Sequence, residues 1–254
     1  MHRLYKKSEI WFAVFWIVAY VVGTGAADSL SRLWGVEKSV TLVYLLCLTA
    51  ASCFFMKRHD LFRKYGLCKT DVSARRFLYY IPLALMVCCN LWLGVTWNMS
   101  VLESALYVLS MLLVGFLEEI IFRGFLFRAM AKDGVRSAII VSAVTFGVGH
   151  LVNLINGSGA DLLSNLCQVG YAIAAGFLFV ILVYRGGSLW PCILTHSALN
   201  ALSAFAKEAP TAGVEILTAV LLAAISLVYT GVLLHTLPRG DKDIPAKTEG
   251  GIHT

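Results

Sequence analysis

Tyr107-Val108-Leu109-Ser110-Met111-Leu112-Leu113-Val114-Gly115-Phe116-Leu117-Glu118-Glu119-Ile120-Ile121-Phe122-Arg123-Gly124 is an apolar run that carries two adjacent carboxylates and an arginine. Of the eleven residues before Glu118, only Ser110 is clearly polar. A run of about 20 apolar residues is what a helix needs to cross a bilayer. A charge at that depth costs at least about 2.5–3.5 kcal/mol on insertion scales. Such a residue persists where a buried partner or a reaction uses it.

The rest of the chain fits a membrane setting. It is 59% hydrophobic and 14% charged over 254 residues, which a soluble domain would not be. Eight apolar segments recur, at about 9–27, 39–56, 77–97, 104–130, 137–153, 162–184, 188–206 and 213–236. The sequence predicts an all-α, polytopic transmembrane helical bundle of about eight helices. It forms a single integral membrane domain over 1–237, with a polar tail over 238–254 that is expected to be disordered. The first segment reads as a retained signal anchor rather than a cleaved peptide.

The net charge of +6 follows topology rather than nucleic acid. With the N-terminus in the cytoplasm, 18 of the 21 Lys and Arg residues fall on the cytoplasmic side. Arg32, Lys38 and Lys207 fall on the other. Both termini are therefore expected to be cytoplasmic, with membrane lipid as the surroundings and no nucleic-acid partner. The seven cysteines are odd in number and mostly inside apolar runs, so they read as small fillers. Asn98-Met-Ser and Asn156-Gly-Ser match a glycosylation pattern at a frequency that chance supplies.

On a helix, residues four apart share a face. Glu119 and Arg123 have that spacing and are expected to pair. Glu118 points about 100° away, as 3.6 residues per turn requires, and is free to face a cavity. Phe146 and His150 share a face of a later segment, and so do His196 and Asn200. Counted from the basic flanks at about 1.5 Å per residue, Glu118 and His150 each lie roughly 21 Å deep, and His196 and Asn200 roughly 16 and 22 Å. Four scarce polar side chains from three helices thus reach one level.

Such a set supports hydrolysis. A carboxylate beside a histidine can hold a water and take its proton. A second histidine and an amide can donate hydrogen bonds to an oxyanion. His-Glu-x-x-His is absent, so the one-helix zinc signature is missing. Zinc held by Glu118, His150 and His196 stays chemically open, since two histidines and a carboxylate form a catalytic ligand set.

Glu-Glu-x-x-x-Arg (Glu118, Glu119, Arg123), Phe-x-x-x-His (Phe146, His150) and His-x-x-x-Asn (His196, Asn200), in that order, resemble the CAAX protease and bacteriocin-processing family, also called Abi. Phe122-Arg123-Gly124 is typical of it too. The resemblance spans about 104–206; the N-terminal third carries no motif. It implies an intramembrane endopeptidase that acts on a membrane-associated peptide or protein. Glu118 and His150 would activate the water, and His196 and Asn200 would form the oxyanion site. Glu119, Arg123 and Phe146 would support them. The family has been described as metal-dependent and as metal-free; no cofactor is expected here, with zinc the alternative. The short loops resemble the prokaryotic branch, which is linked to bacteriocin or pheromone maturation and self-immunity, so a prokaryotic plasma membrane is expected. Two other readings remain: a non-proteolytic scaffold or immunity factor, and a proton-coupled transporter, because intramembrane Glu and His also make proton relays.

Overall fold

A computed structural model describes residues 1–155 and 162–238. The tail expected after Pro238 and the Asn156-Gly-Ser pattern lie outside the described residues. The order is α1 (His2–Lys7), α2 (Glu9–Leu33), α3 (Ser39–Arg58), α4 (Ile81–Val87), α5 (Val101–Glu119), α6 (Phe127–Ala131), α7 (Val135–Gly149), α8 (Val152–Ile155), α9 (Leu162–Gly186), α10 (Trp190–Leu202) and α11 (Ala212–Thr236). Among the described residues there is no strand, only an isolated bridge between Val95 and Ala206.

Five stretches are long and apolar enough to cross a membrane: α2, α3, Val101–Ala131, α9 and α11. Their outward faces are greasy: Val18 and Val22 on α2, and Leu217, Val220 and Val228 on α11, are more than half exposed. Ser110, Ser142, Asn165 and Ser226 are fully buried instead. Apolar outside and polar inside is the arrangement that lipid selects. The protein is an integral membrane protein with a polytopic helical bundle.

Three of the eight expected spans are built differently. The 77–97 segment is not one helix. Leu78, Tyr79 and Tyr80 take positive φ (49°, 52° and 60°), and Pro82 sits in the first turn of the seven-residue α4. Proline lacks an N–H and starts a helix more readily than it continues one. Side chains of α11 satisfy the carbonyls freed by this break: Tyr229 Oη donates to Phe77 O (2.6 Å) and Thr236 Oγ1 to Arg76 O (2.7 Å). The second departure is α7, which stops at Gly149, so His150 is its C-cap rather than a mid-helix residue. The third is α10, which has 13 residues, shorter than a span.

The helix that carries Glu118 is set in depth from its start. Ser100 and Glu103 form a reciprocal capping box at the N-terminus of α5. After Glu119 the helix widens into a π-turn over Ile120–Leu126 before α6. Ser142 of α7 donates to the Phe122 carbonyl in that turn (2.9 Å). Widened turns of this kind recur at functional sites, where they re-aim side chains.

Small residues let the helices close on one another. A Cβ on Gly115 would meet the Ser197 backbone nitrogen at 2.5 Å, so only glycine lets α10 lie this close to α5. Ser197 Oγ donates across that contact to Leu112 O (2.9 Å). On the opposite flank Gly176 of α9 lies against the Ala143 backbone of α7, where a Cβ would fall 2.9 Å from its carbonyl oxygen. At the N-terminal end of α2, Glu9 bridges Lys64 and Lys132 at 2.7 Å each, gathering three basic segments at one face.

Candidate active site

The Glu-Glu pair splits its work as the helix geometry requires. Glu119 and Arg123 are both fully buried and pair at 3.0 Å. Arg123 also lies over the Phe146 ring, 4.0 Å from its centroid, and 5.5 Å from that of Phe179. Stacking on two aromatic faces shelters a guanidinium that water does not reach. The pair neutralises itself within one turn.

Glu119 does a second job. Its Oε1 accepts from His196 Nδ1 at 2.8 Å as well as from Arg123. A carboxylate paired with a cation accepts hydrogen bonds, so Nδ1 carries the proton. The other ring nitrogen, Nε2, is then turned towards Glu118, 3.5 Å from its Oε2. Neutral His196 offers Nε2 as an acceptor; it donates there once protonated. Gly115 makes this contact possible by letting α10 reach α5.

Glu118 faces a cavity of about 110 Å³ lined by Tyr20, Thr24, Asp28, Phe122, Phe146 and His150, among others. Tyr20 Oη donates to Glu118 Oε1 at 2.6 Å, while Oε2 is buried without a hydrogen-bond partner. His150 reaches the same cavity from the end of α7. Asn165 of α9, fully buried, fixes that end by donating to the His150 carbonyl (2.9 Å). Phe146 touches both imidazoles edge-on, with centroids 5.4 Å from His150 and 5.5 Å from His196.

Six of the seven residues singled out in the sequence meet here: Glu118, Glu119, Arg123, Phe146, His150 and His196. Asn200 stands one turn beyond His196 on α10, half-buried; neither lines this cavity, and His196 joins the site through its contacts with Glu118 and Glu119. Sequence reasoning missed Tyr20 and Asn165. A tyrosine in an apolar span and an amide near a helix start carry no motif. Their signal is burial alone.

The zinc alternative needs three ligating side chains around one point. Among the described residues no three His, Cys, Asp or Glu side chains converge on a point where they could share an ion. His196 Nδ1 is engaged by Glu119, which leaves Nε2 as the nitrogen a metal would use.

Residues 100–202 match the family model described as type II CAAX prenyl endopeptidase Rce1-like. No curated protein and no solved structure matches the chain. All seven residues of the three motifs fall inside the matched segment, whereas α2, which supplies Tyr20, Thr24 and Asp28, lies before it. Match and motifs agree: residues 100–202, which hold all three motifs, are similar to the type II CAAX prenyl endopeptidases.

Proposed function

We propose that this protein is an intramembrane endopeptidase that hydrolyses a peptide bond of a membrane-associated peptide or protein with a water activated by Glu118. One observation carries the reading. Glu118 is the carboxylate left over: Arg123 offsets Glu119, and Glu118 lines a cavity that His150 shares. The cavity has room for several waters.

The reaction balances with these groups. Glu118 takes a proton from water as the oxygen attacks the scissile carbonyl carbon. The C–O bond forms and the carbonyl π pair moves to oxygen. Asn200 donates to that oxyanion, joined by His196 when its Nε2 carries a proton. Collapse breaks the C–N bond, and the proton held by Glu118, passed directly or through His150, leaves with the amine. Metal-free activation is part of the proposal. The distribution of basic residues supports cytoplasmic termini, and the short loops support a prokaryotic plasma membrane.

The test uses the purified full chain in detergent and an internally quenched farnesylated peptide ending in a CAAX sequence, the class named by the matched family. Glu118→Ala and His150→Ala are expected to lose turnover by at least about 10³-fold while running normally in size-exclusion. Wild-type turnover in Glu118→Ala would sink the mechanism. Chelator-washed wild type is expected to keep its activity; loss on chelation with recovery on added zinc would make the water metal-activated.

A further inference from the structure

The best-made hydrogen bond to the proposed base comes from outside the matched segment. Tyr20 and Glu118 are 98 residues apart in sequence and 2.6 Å apart in space. We infer that Tyr20 is a positioning residue for this hydrolytic site: its hydroxyl holds one oxygen of Glu118 and so sets the angle at which the carboxylate meets the cavity and His196. The inference rests on the reading of Glu118 as the base.

Three observations support it. The first is how Tyr20 is held. Phe12, Trp16 and Tyr20 lie four residues apart on one buried stripe of α2. Phe12 and Trp16 pack on Phe125 in the π-turn after Glu119, with centroids 5.1 and 5.8 Å away. At its start α2 is tied by Glu9 to Lys64 and Lys132. The tyrosine is therefore fixed against the segment that carries its partner. The second is the division of the carboxylate: Oε1 accepts from the Tyr20 hydroxyl, and Oε2 is buried with no hydrogen-bond partner, 3.5 Å from His196 Nε2. A carboxylate with one oxygen tethered presents the other at a fixed angle.

The third is the kind of partner. An arginine or lysine in the place of Tyr20 would neutralise the base, as Arg123 does Glu119. A neutral hydroxyl orients the carboxylate and leaves its charge available. Tyr20 itself is 8% exposed and lines the same cavity as Glu118.

The experiment compares wild type, Tyr20→Phe and Glu118→Gln as purified full-length protein. Phenylalanine keeps the ring in the α2 stripe, so it removes the hydroxyl and leaves packing in place. Turnover of the quenched farnesylated CAAX peptide is read as kcat and KM. Reaction of residue 118 with dicyclohexylcarbodiimide is read by mass spectrometry, with Glu118→Gln as the blank. Tyr20→Phe is expected to lower kcat about 10–100-fold, the scale of one hydrogen bond to a charged group, with KM within about twofold. It is expected to label at Glu118 several-fold faster, because the carboxyl is no longer held. Wild-type kcat and wild-type labelling would overturn the inference. A raised KM at unchanged kcat would overturn it too, moving Tyr20 to substrate binding. Turnover that survives in Glu118→Gln, or is absent from wild type, would instead defeat the hydrolytic reading, and labelling would still report on Tyr20.

Discussion

The cavity beside Glu118 measures about 110 Å³, and a second cavity, bounded by α9, α10, α11 and the segment after α4, about 590 Å³. The larger one is also rich in polar groups: Asn90, Gln168, Tyr171, Lys207, Glu208 and Glu215 line it. The two differ in how their polar groups are held. In the small cavity Glu118 is clamped by Tyr20, and the histidine beyond it is oriented by Glu119, itself paired to a fully buried arginine. In the large one Lys207 and Glu208 are exposed, and Asn90 spends its amide on the Leu199 carbonyl (2.7 Å). Fixed donors and charges in a place that excludes water are what catalysis uses; volume and polarity alone do not supply them. Substitutions at the two sites should therefore differ in kind, and the comparison can be broken at either.

The largest effect beyond Glu118 and His150 is expected at Asn200, the proposed oxyanion donor one turn beyond His196 on α10. Asn200→Ala should lower kcat about 10²–10³-fold with a small change in KM. Steady-state kinetics with the quenched peptide decide it. An unchanged kcat with a large rise in KM would place Asn200 in substrate binding and leave His196 as the oxyanion donor.

A smaller effect, transmitted through packing, is expected at Gly115. In Gly115→Ala the new Cβ meets the backbone of Ser197, which has no flexible end to move aside. Overpacking of this kind costs about 1–3 kcal/mol. It should also move α10 away from α5 and lengthen the His196–Glu119 contact, lowering kcat about 10–100-fold, as a misplacement of about 1 Å does. A lowered Tm with normal kcat would separate helix packing from histidine placement. A normal Tm would mean that α10 does not lie against α5 at Gly115.

These two residues also mark what the sequence reveals. The Glu119–Arg123 pair is legible because four-residue spacing on a helix is enough to predict it. The convergence of Glu118, His150 and His196 is legible in part, because depth along a helix can be counted from its basic flank. Tyr20 is not legible: its role comes from a contact across 98 residues, and a tyrosine in an apolar span looks like any other. The break at Leu78–Tyr80 was half visible. Pro82 announces a helix start, but the apolar run around it satisfies the length rule for a span, and composition carries no record of left-handed backbone. The end of α7 at His150 is hidden for a similar reason, since Leu151, Val152 and Leu154 continue the hydrophobic pattern past the point where the helix stops.

The smallest effect is expected in the large cavity, at Glu215. That residue stands in the first turn of α11, four positions after Thr211, whose hydroxyl accepts from the Val214 backbone N–H. An acid there is accounted for by the helix dipole, whose positive end lies at the N-terminus; the interaction is worth about 0.3–1 kcal/mol. Glu215→Gln should thus lower Tm slightly and leave kcat and KM within about twofold of wild type, the range of substitutions away from a built site. Lys207 and Glu208, both exposed, should behave alike. If Glu215→Gln instead raised KM tenfold at constant kcat, the large cavity would lie on the substrate's route. The contrast between the two sites would then be one of binding against chemistry, with α11 as the wall that selects the peptide. If it lowered kcat a hundredfold, the reacting bond would have to reach the large cavity, and Glu118 would no longer have a claim to be the base.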